Sequence, residues 1–133
     1  MGKGVLFVSP NREDASILSH MLGSLSVPIE YVADLAHARA KMLNGRYPVI
    51  LTEANLGDGT WLDVLELAHR ETPRSEVIVT HAIADARFWA EVLNMGAYDL
   101  IAQPFATGEV QRILSNACIH ASTASPRSAA AIL

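Results

Sequence analysis

Val49-Ile50-Leu51-Thr52-Glu53-Ala54-Asn55-Leu56-Gly57-Asp58-Gly59 changes character halfway along. Its first residues form an uninterrupted run of β-formers, the pattern of a strand buried on both faces. Its second half carries two glycines and an aspartate, the residues of a chain reversal. From Thr60 to about His69, Leu62, Leu65 and Ala68 then repeat at helical spacing. A buried strand, a loop and a helix in that order make a β/α unit.

The same unit recurs outward in both directions. Upstream, Val5-Leu6-Phe7-Val8 is a second apolar run, bounded by Gly4 and by Ser9-Pro10-Asn11. Asn11 starts a helix carrying Ile17, Leu18, Met21, Leu22 and Leu25. Pro28 to Val32 is a weaker strand, followed by a helix that Asp34 caps and Asn44-Gly45 ends. Downstream, Val77-Ile78-Val79-Thr80 is a strand, Ala84 to Met95 a helix stopped at Gly96, and Tyr98 to Ile101 a strand. Thr107 opens a last helix with Val110, Ile113, Leu114, Ala117, Cys118 and Ala121 on one stripe. Five such units predict an α/β fold, a three-layer sandwich with a doubly wound, five-stranded parallel sheet. Residues 1–121 form the domain, and the small, polar residues 122–133 read as a flexible tail or the start of a linker.

Composition narrows the function classes. The chain has 133 residues, half of them apolar, and a formal charge of −4. This suffices for one core without metal or disulfide support. Its single cysteine, Cys118, excludes an internal disulfide and makes a reducing cytoplasm the expectation. Fourteen acidic residues against ten basic ones leave no basic footprint for nucleic acid. No apolar run reaches the ~20 residues of a membrane span, and Met1 to Gly4 does not read as a signal peptide.

In a parallel sheet of this kind the working site lies at the carboxyl ends of the strands. Those ends are Ser9-Pro10, Glu53, Thr80-His81 and Ala102-Gln103. With these segments in order, the chain resembles the receiver domain of two-component response regulators, the CheY-like, flavodoxin-like module. Three stretches carry the resemblance: Val49 to Gly59; Val77 to Ala82 with Asp85; and Gly96-Ala97-Tyr98-Asp99-Leu100 with Gln103-Pro104-Phe105. The family's chemistry uses an acidic pair after the first strand to bind magnesium and an aspartate after the third to take the phosphoryl group. A threonine or serine, a lysine and a switch aromatic complete it, because charge gathering on a phosphorylated carboxylate must be offset. By resemblance these positions are Ser9 and Pro10, Glu53, His81, Gln103 and Leu100. Each departs from the pattern. The resemblance therefore implies a receiver fold with a degenerate phosphorylation pocket, a phosphorelay-type signalling module that is not an enzyme, holds no metal and needs no cofactor. It also implies a cis Gln103-Pro104 peptide.

Several residues admit more than one reading. Glu53 can be a working phosphoacceptor, a fixed phosphomimetic or a plain carboxylate. Glu13 and Asp14 read as first-turn acids facing a helix dipole rather than as a replacement acidic pair. His81 reads first as a histidine bonded to backbone or water, with an ion pair to Glu53 as the alternative. Nothing in the spacing demands a metal site from Glu53, Asp58 and His81, and His20, His37, His69 and His120 read as helix-surface residues. Trp61 either covers the pocket or packs on its own loop. A small-ligand or nucleotide-binding protein is disfavoured, because Ser9-Pro10-Asn11-Arg12 lacks the glycines of a phosphate loop.

The fourth helix carries two apolar stripes: Ala86, Trp89, Ala90 and Leu93, and Phe88, Val92 and Met95. A sheet covers only one. Phe88, Trp89, Val92, Met95 and Tyr98 are therefore the expected interaction surface. The resemblance places a protein partner or a homodimer on the face made by the fourth helix, fifth strand and fifth helix.

Overall fold

The computed structural model describes residues 4–70 and 75–131, with side chains described through Ala121. Met1–Lys3, in the segment read for a signal peptide, and Ile132–Leu133, at the end of the expected tail, lie outside the described residues.

Five strands form one parallel sheet: β1 (Val5–Val8), β2 (Ile29–Val32), β3 (Val49–Glu53), β4 (Glu76–His81) and β5 (Asp99–Ala102). Their order is β2-β1-β3-β4-β5. This is the flavodoxin-like, doubly wound arrangement, in which the chain direction reverses between β1 and β3 and opens a crevice at their carboxyl ends. Successive residues of each strand face opposite layers. Leu6, Val8, Ile50, Val77, Val79 and Leu100 pack on one side with α2 (Leu35–Asn44), α3 (Trp61–His69) and α4 (Ala86–Asn94). Val5, Phe7, Val49, Leu51, Ile78 and Ile101 pack on the other with α1 (Arg12–Leu22) and α5 (Thr107–Ala131). Burying both faces explains why the central strands read as continuous apolar runs. Each such side chain contributes about 1.5–3 kcal/mol. The weaker signal at β2 reflects its place at the sheet edge, where three of its four residues are only partly buried.

Local signals set the helix starts. Asn11 Oδ1 accepts from the Glu13 N–H at 3.0 Å, Asp34 Oδ1 from the His37 N–H at 2.8 Å, and Asp85 Oδ1 from the Phe88 N–H at 2.9 Å. Thr60 and Asp63 form a reciprocal capping box on α3. Asp58 does a less local job: its two oxygens accept from the Leu35 and Ala36 N–H groups at 2.9 and 3.1 Å. The loop after β3 thus caps α2, which withdraws Asp58 from the pocket. Gly57 turns that loop at φ +85°, a conformation glycine adopts without strain, and a Cβ on Gly59 would meet Leu35 Cδ2 at 2.5 Å and displace that side chain.

Two boundaries differ from the sequence reading. β4 begins at Glu76 and extends to His81, which pairs in register with Ala102 and so stands at the strand end. The backbone of α5 stays helical past Ala121 as far as Ala131.

Candidate functional site

The carboxyl ends of β3, β4 and β5 converge on the Glu53 carboxylate. Glu53 is the last residue of β3, and its side chain is 15% exposed. Its Oε1 accepts from the Ala54 N–H at 3.0 Å and lies 3.1 Å from His81 Nδ1. Its Oε2 accepts from Gln103 Nε2 at 2.7 Å. Gln103 Nε2 also reaches Thr80 Oγ1 at 3.1 Å, and the Thr80 hydroxyl donates to the Ile101 carbonyl at 2.9 Å. One amide therefore ties together the ends of β3, β4 and β5. The extra methylene of glutamate lets a side chain on β3 span that gap.

Contact with Glu53, part of the alternative reading for His81, is observed through Nδ1. The reason is the added strand residue: with His81 still in β4, its ring hangs over the end of β3 instead of turning into the loop. The Gln103-Pro104 peptide is cis.

The β1 end contributes no carboxylate. Ser9 is fully buried; its Oγ accepts from the Asn11 N–H at 3.0 Å, and its carbonyl accepts from the Tyr31 hydroxyl at 2.6 Å. Pro10 is exposed and its side chain has no donor atom to offer a cation. This donor set does not match the acidic pair that a receiver uses for magnesium. Among the described residues no three His, Cys, Asp or Glu side chains are grouped to hold a metal. His37 and His120 instead lie against Asp34 and Glu76 at 2.7 and 2.6 Å, away from the pocket.

Asp14 is a site residue that sequence reasoning assigned elsewhere. Glu13 stays exposed, but Asp14 turns toward the pocket and lines a cavity of about 320 Å³ with Ile17, Gln103 and Phe105. Burial raises its carboxyl above the usual range, and the Glu53 and Glu13 charges raise it further. The helical offset from Asn11 was the available signal: one turn into α1, the chain faces back over β1. Thr80, which the sequence places at a strand end of the working site without a role, joins the network through its hydroxyl.

Trp61 is 5% exposed and packs edge-on to Phe88, with ring centroids 6.0 Å apart. Phe88 in turn meets the His81 ring at 5.6 Å. Trp61 is therefore core, and it supports the pocket from the side through Phe88.

The expected interaction surface is partly corrected. Val92 is completely buried, because the stripe with Phe88 is the one that faces the sheet. Phe88 is half-buried against His81 and Trp61. Tyr98 lies at the opposite end of the sheet, packed on the α5 side with His120 at 5.5 Å. Trp89 and Met95 remain, 48% and 51% exposed. Trp89 Nε1 donates to Asp99 Oδ1 at 3.0 Å and borders a groove of about 500 Å³ between α4, β5 and α5. Leu100, which the resemblance sets at the switch position, is 5% exposed and has no polar side-chain atom.

The fold as a whole superimposes on solved receiver domains. The fold is that of a response-regulator receiver. The receiver-fold structures similar to this chain include the beryllofluoride-activated NtrC4 receiver domain dimer, with a TM-score of 0.80, 22% identity, and coverage of 88% of this chain and 97% of that one. The signal receiver domain of a putative LuxO repressor protein from Vibrio parahaemolyticus superimposes with a TM-score of 0.81 at 17% identity, covering 92% and 95%. The chemotaxis response regulator CheY4 of Vibrio cholerae gives 0.77 at 19% identity, covering 88% and 99%. By sequence, the response regulator protein PilR of Pseudomonas aeruginosa is 21% identical over 112 residues, which is 84% of this chain. The chain spans only 25% of that relative's length. No family model matches the sequence. No helix among the described residues is long and apolar enough to cross a membrane.

Proposed function

We propose that this receiver fold serves two-component signalling as a cytoplasmic protein-protein interaction module that works without a phosphorylation cycle, a magnesium ion or catalysis of its own. The observation that carries the reading is the saturation of Glu53. Both of its oxygens are engaged by Ala54, His81 and Gln103, and a neutral amide stands where a receiver keeps its lysine. A phosphoryl group on this carboxylate would displace Gln103 and meet the Asp14 charge with no ammonium to offset it. The surface that transmits the signal is the groove beside Trp89, used by a protein partner or a second copy of the chain. The dimeric state of the NtrC4 receiver supports self-association as the first possibility to test.

Titration with magnesium and beryllofluoride, followed by amide NMR, tests the phosphorylation-independent reading. The expected result is an unchanged spectrum at Glu53, Ala54, Thr80 and Gln103. Saturable shifts there would establish a working receiver instead.

A second reading has one observation in its favour. Through Gln103 the Glu53 carboxylate already bridges to Thr80, as a fixed phosphomimetic would. In that case Glu53→Gln weakens self-association or partner capture; under the first reading it leaves both intact.

A further inference from the structure

A module with no phosphorylation cycle needs another input, and the pocket contains a titratable one; this inference rests on the reading just given. Of the groups bonded to Glu53, the Ala54 N–H and the Gln103 amide keep the same charge at all ordinary pH values. His81 is the one whose side chain ordinarily changes charge between about pH 5 and 8. Its ring is held between two elements. On one side Nδ1 lies 3.1 Å from Glu53 Oε1; on the other the ring meets Phe88 of α4 at 5.6 Å and an interplanar angle of 66°.

The charges around it are mixed. Glu53 faces His81 from β3, with Asp14 of α1 close enough to Glu53 to feel its charge. Asp85, Arg87 and Glu91 of α4 and its N-terminal turn line the same cleft as His81, Phe88 and Ile83. Arg87 opposes added positive charge there, while Asp85 and Glu91 favour it. Proton uptake from solvent, on whichever ring nitrogen is bare, draws the imidazolium to the carboxylate by Coulomb attraction. The ring that is drawn in is the one packed edge-on with Phe88, so the aromatic contact moves with it. Phe88 lies in the first turn of α4, its N–H bonded to the Asp85 cap, and the next residue is the exposed Trp89.

We propose that His81 is a proton-operated latch between the pocket and α4: in its charged form it clamps Phe88 to the end of β3 and so sets the position of the α4 turn that presents Trp89.

The test is an NMR pH titration from about 5 to 8, in buffer without magnesium or phosphoryl donor, following the His81 ring and the amides of residues 85–90. It is run on the wild-type chain, His81→Gln and Phe88→Leu. The α4 amides are expected to shift with the same midpoint as the His81 ring. Those shifts should be lost in His81→Gln. They should also be lost in Phe88→Leu, where the ring itself still titrates. Flat α4 amides through the ring's titration overturn the latch, as does an α4 response that persists in either variant. Should His81→Gln fail to fold, the wild-type and Phe88→Leu titrations decide the matter alone. Beryllofluoride and magnesium added at each end of the titration keep the two proposals apart, since saturable shifts then refute the phosphorylation-independent reading while the pH response remains legible.

Discussion

The pocket at the strand ends and the groove beside α4 are built on opposite principles. In the pocket, Glu53, His81, Gln103 and Thr80 contact one another, with the neutral Gln103 amide bridging Glu53 and Thr80. At the groove, Trp89 and Met95 stand about half exposed, and the open space is about 500 Å³. A polar cluster that pairs internally has little left with which to bind a ligand. An apolar surface gains only when something covers it. The contrast teaches that the polar side chains at the strand ends pair with one another while the apolar surface beside α4 stays uncovered.

The sharpest way to break the comparison lies within α4 itself, where buried and exposed apolar residues alternate. Val92→Asp places an unpaired carboxylate in the core and should destabilise the fold by more than about 3 kcal/mol, measured by urea unfolding. If Val92→Asp folds normally, the assignment of α4's two faces is wrong. Glu53→Ala removes the shared acceptor from Gln103 and His81, but also relieves the repulsion with Asp14. A loss of about 1 kcal/mol is expected, and a neutral effect would mean that water replaces the carboxylate without cost.

Trp89→Lys keeps a donor beside Asp99 while removing the exposed indole. Stability should stay within about 1 kcal/mol of wild type, whereas self-association, followed by sedimentation velocity, should disappear. An unaltered sedimentation profile would show that the groove is not the contact surface. The smallest effect sits at Asp14. Its carboxyl titrates above the ordinary range in the folded chain, so the folded state binds this proton more readily than the unfolded one. Its contribution is therefore fully present below the ordinary carboxylate value and is lost as pH rises through the raised one. Asp14→Asn should accordingly stabilise the chain at neutral pH, by less than about 1 kcal/mol, with the gain vanishing in acid. In Glu53→Gln the Asp14 carboxyl should move back toward the ordinary range without reaching it, because burial is the larger cause of the shift.

Much of the fold was legible because strands buried on both faces leave continuous runs such as Val5 to Val8, and because Asn11, Asp34 and Thr60 announce helix starts through their own side chains. The pocket was legible as a set of positions: Ser9, Pro10, Glu53, His81 and Gln103 all stand at strand ends. Their partnerships were not. The contact of His81 with Glu53 depends on β4 continuing through His81, and the bridge from Gln103 to Thr80 depends on the β4/β5 register.

On α4 the sequence shows two apolar stripes of similar quality, and periodicity alone does not say which one meets the sheet. Packing selects Val92 for the core and leaves Trp89 outside, where its indole N–H finds Asp99. Asp58 follows the same logic: its sequence marks a turn, and only the approach of α2 turns it into that helix's cap. Alternation of strands and helices, the sites of the helix caps and the lack of a carboxylate at Ser9 and Pro10 belong to the sequence, because they follow from local pattern and residue chemistry. The saturation of Glu53, the orientation of Asp14 and the choice of an exposed face belong to the tertiary structure, because each depends on distances between segments far apart in the chain.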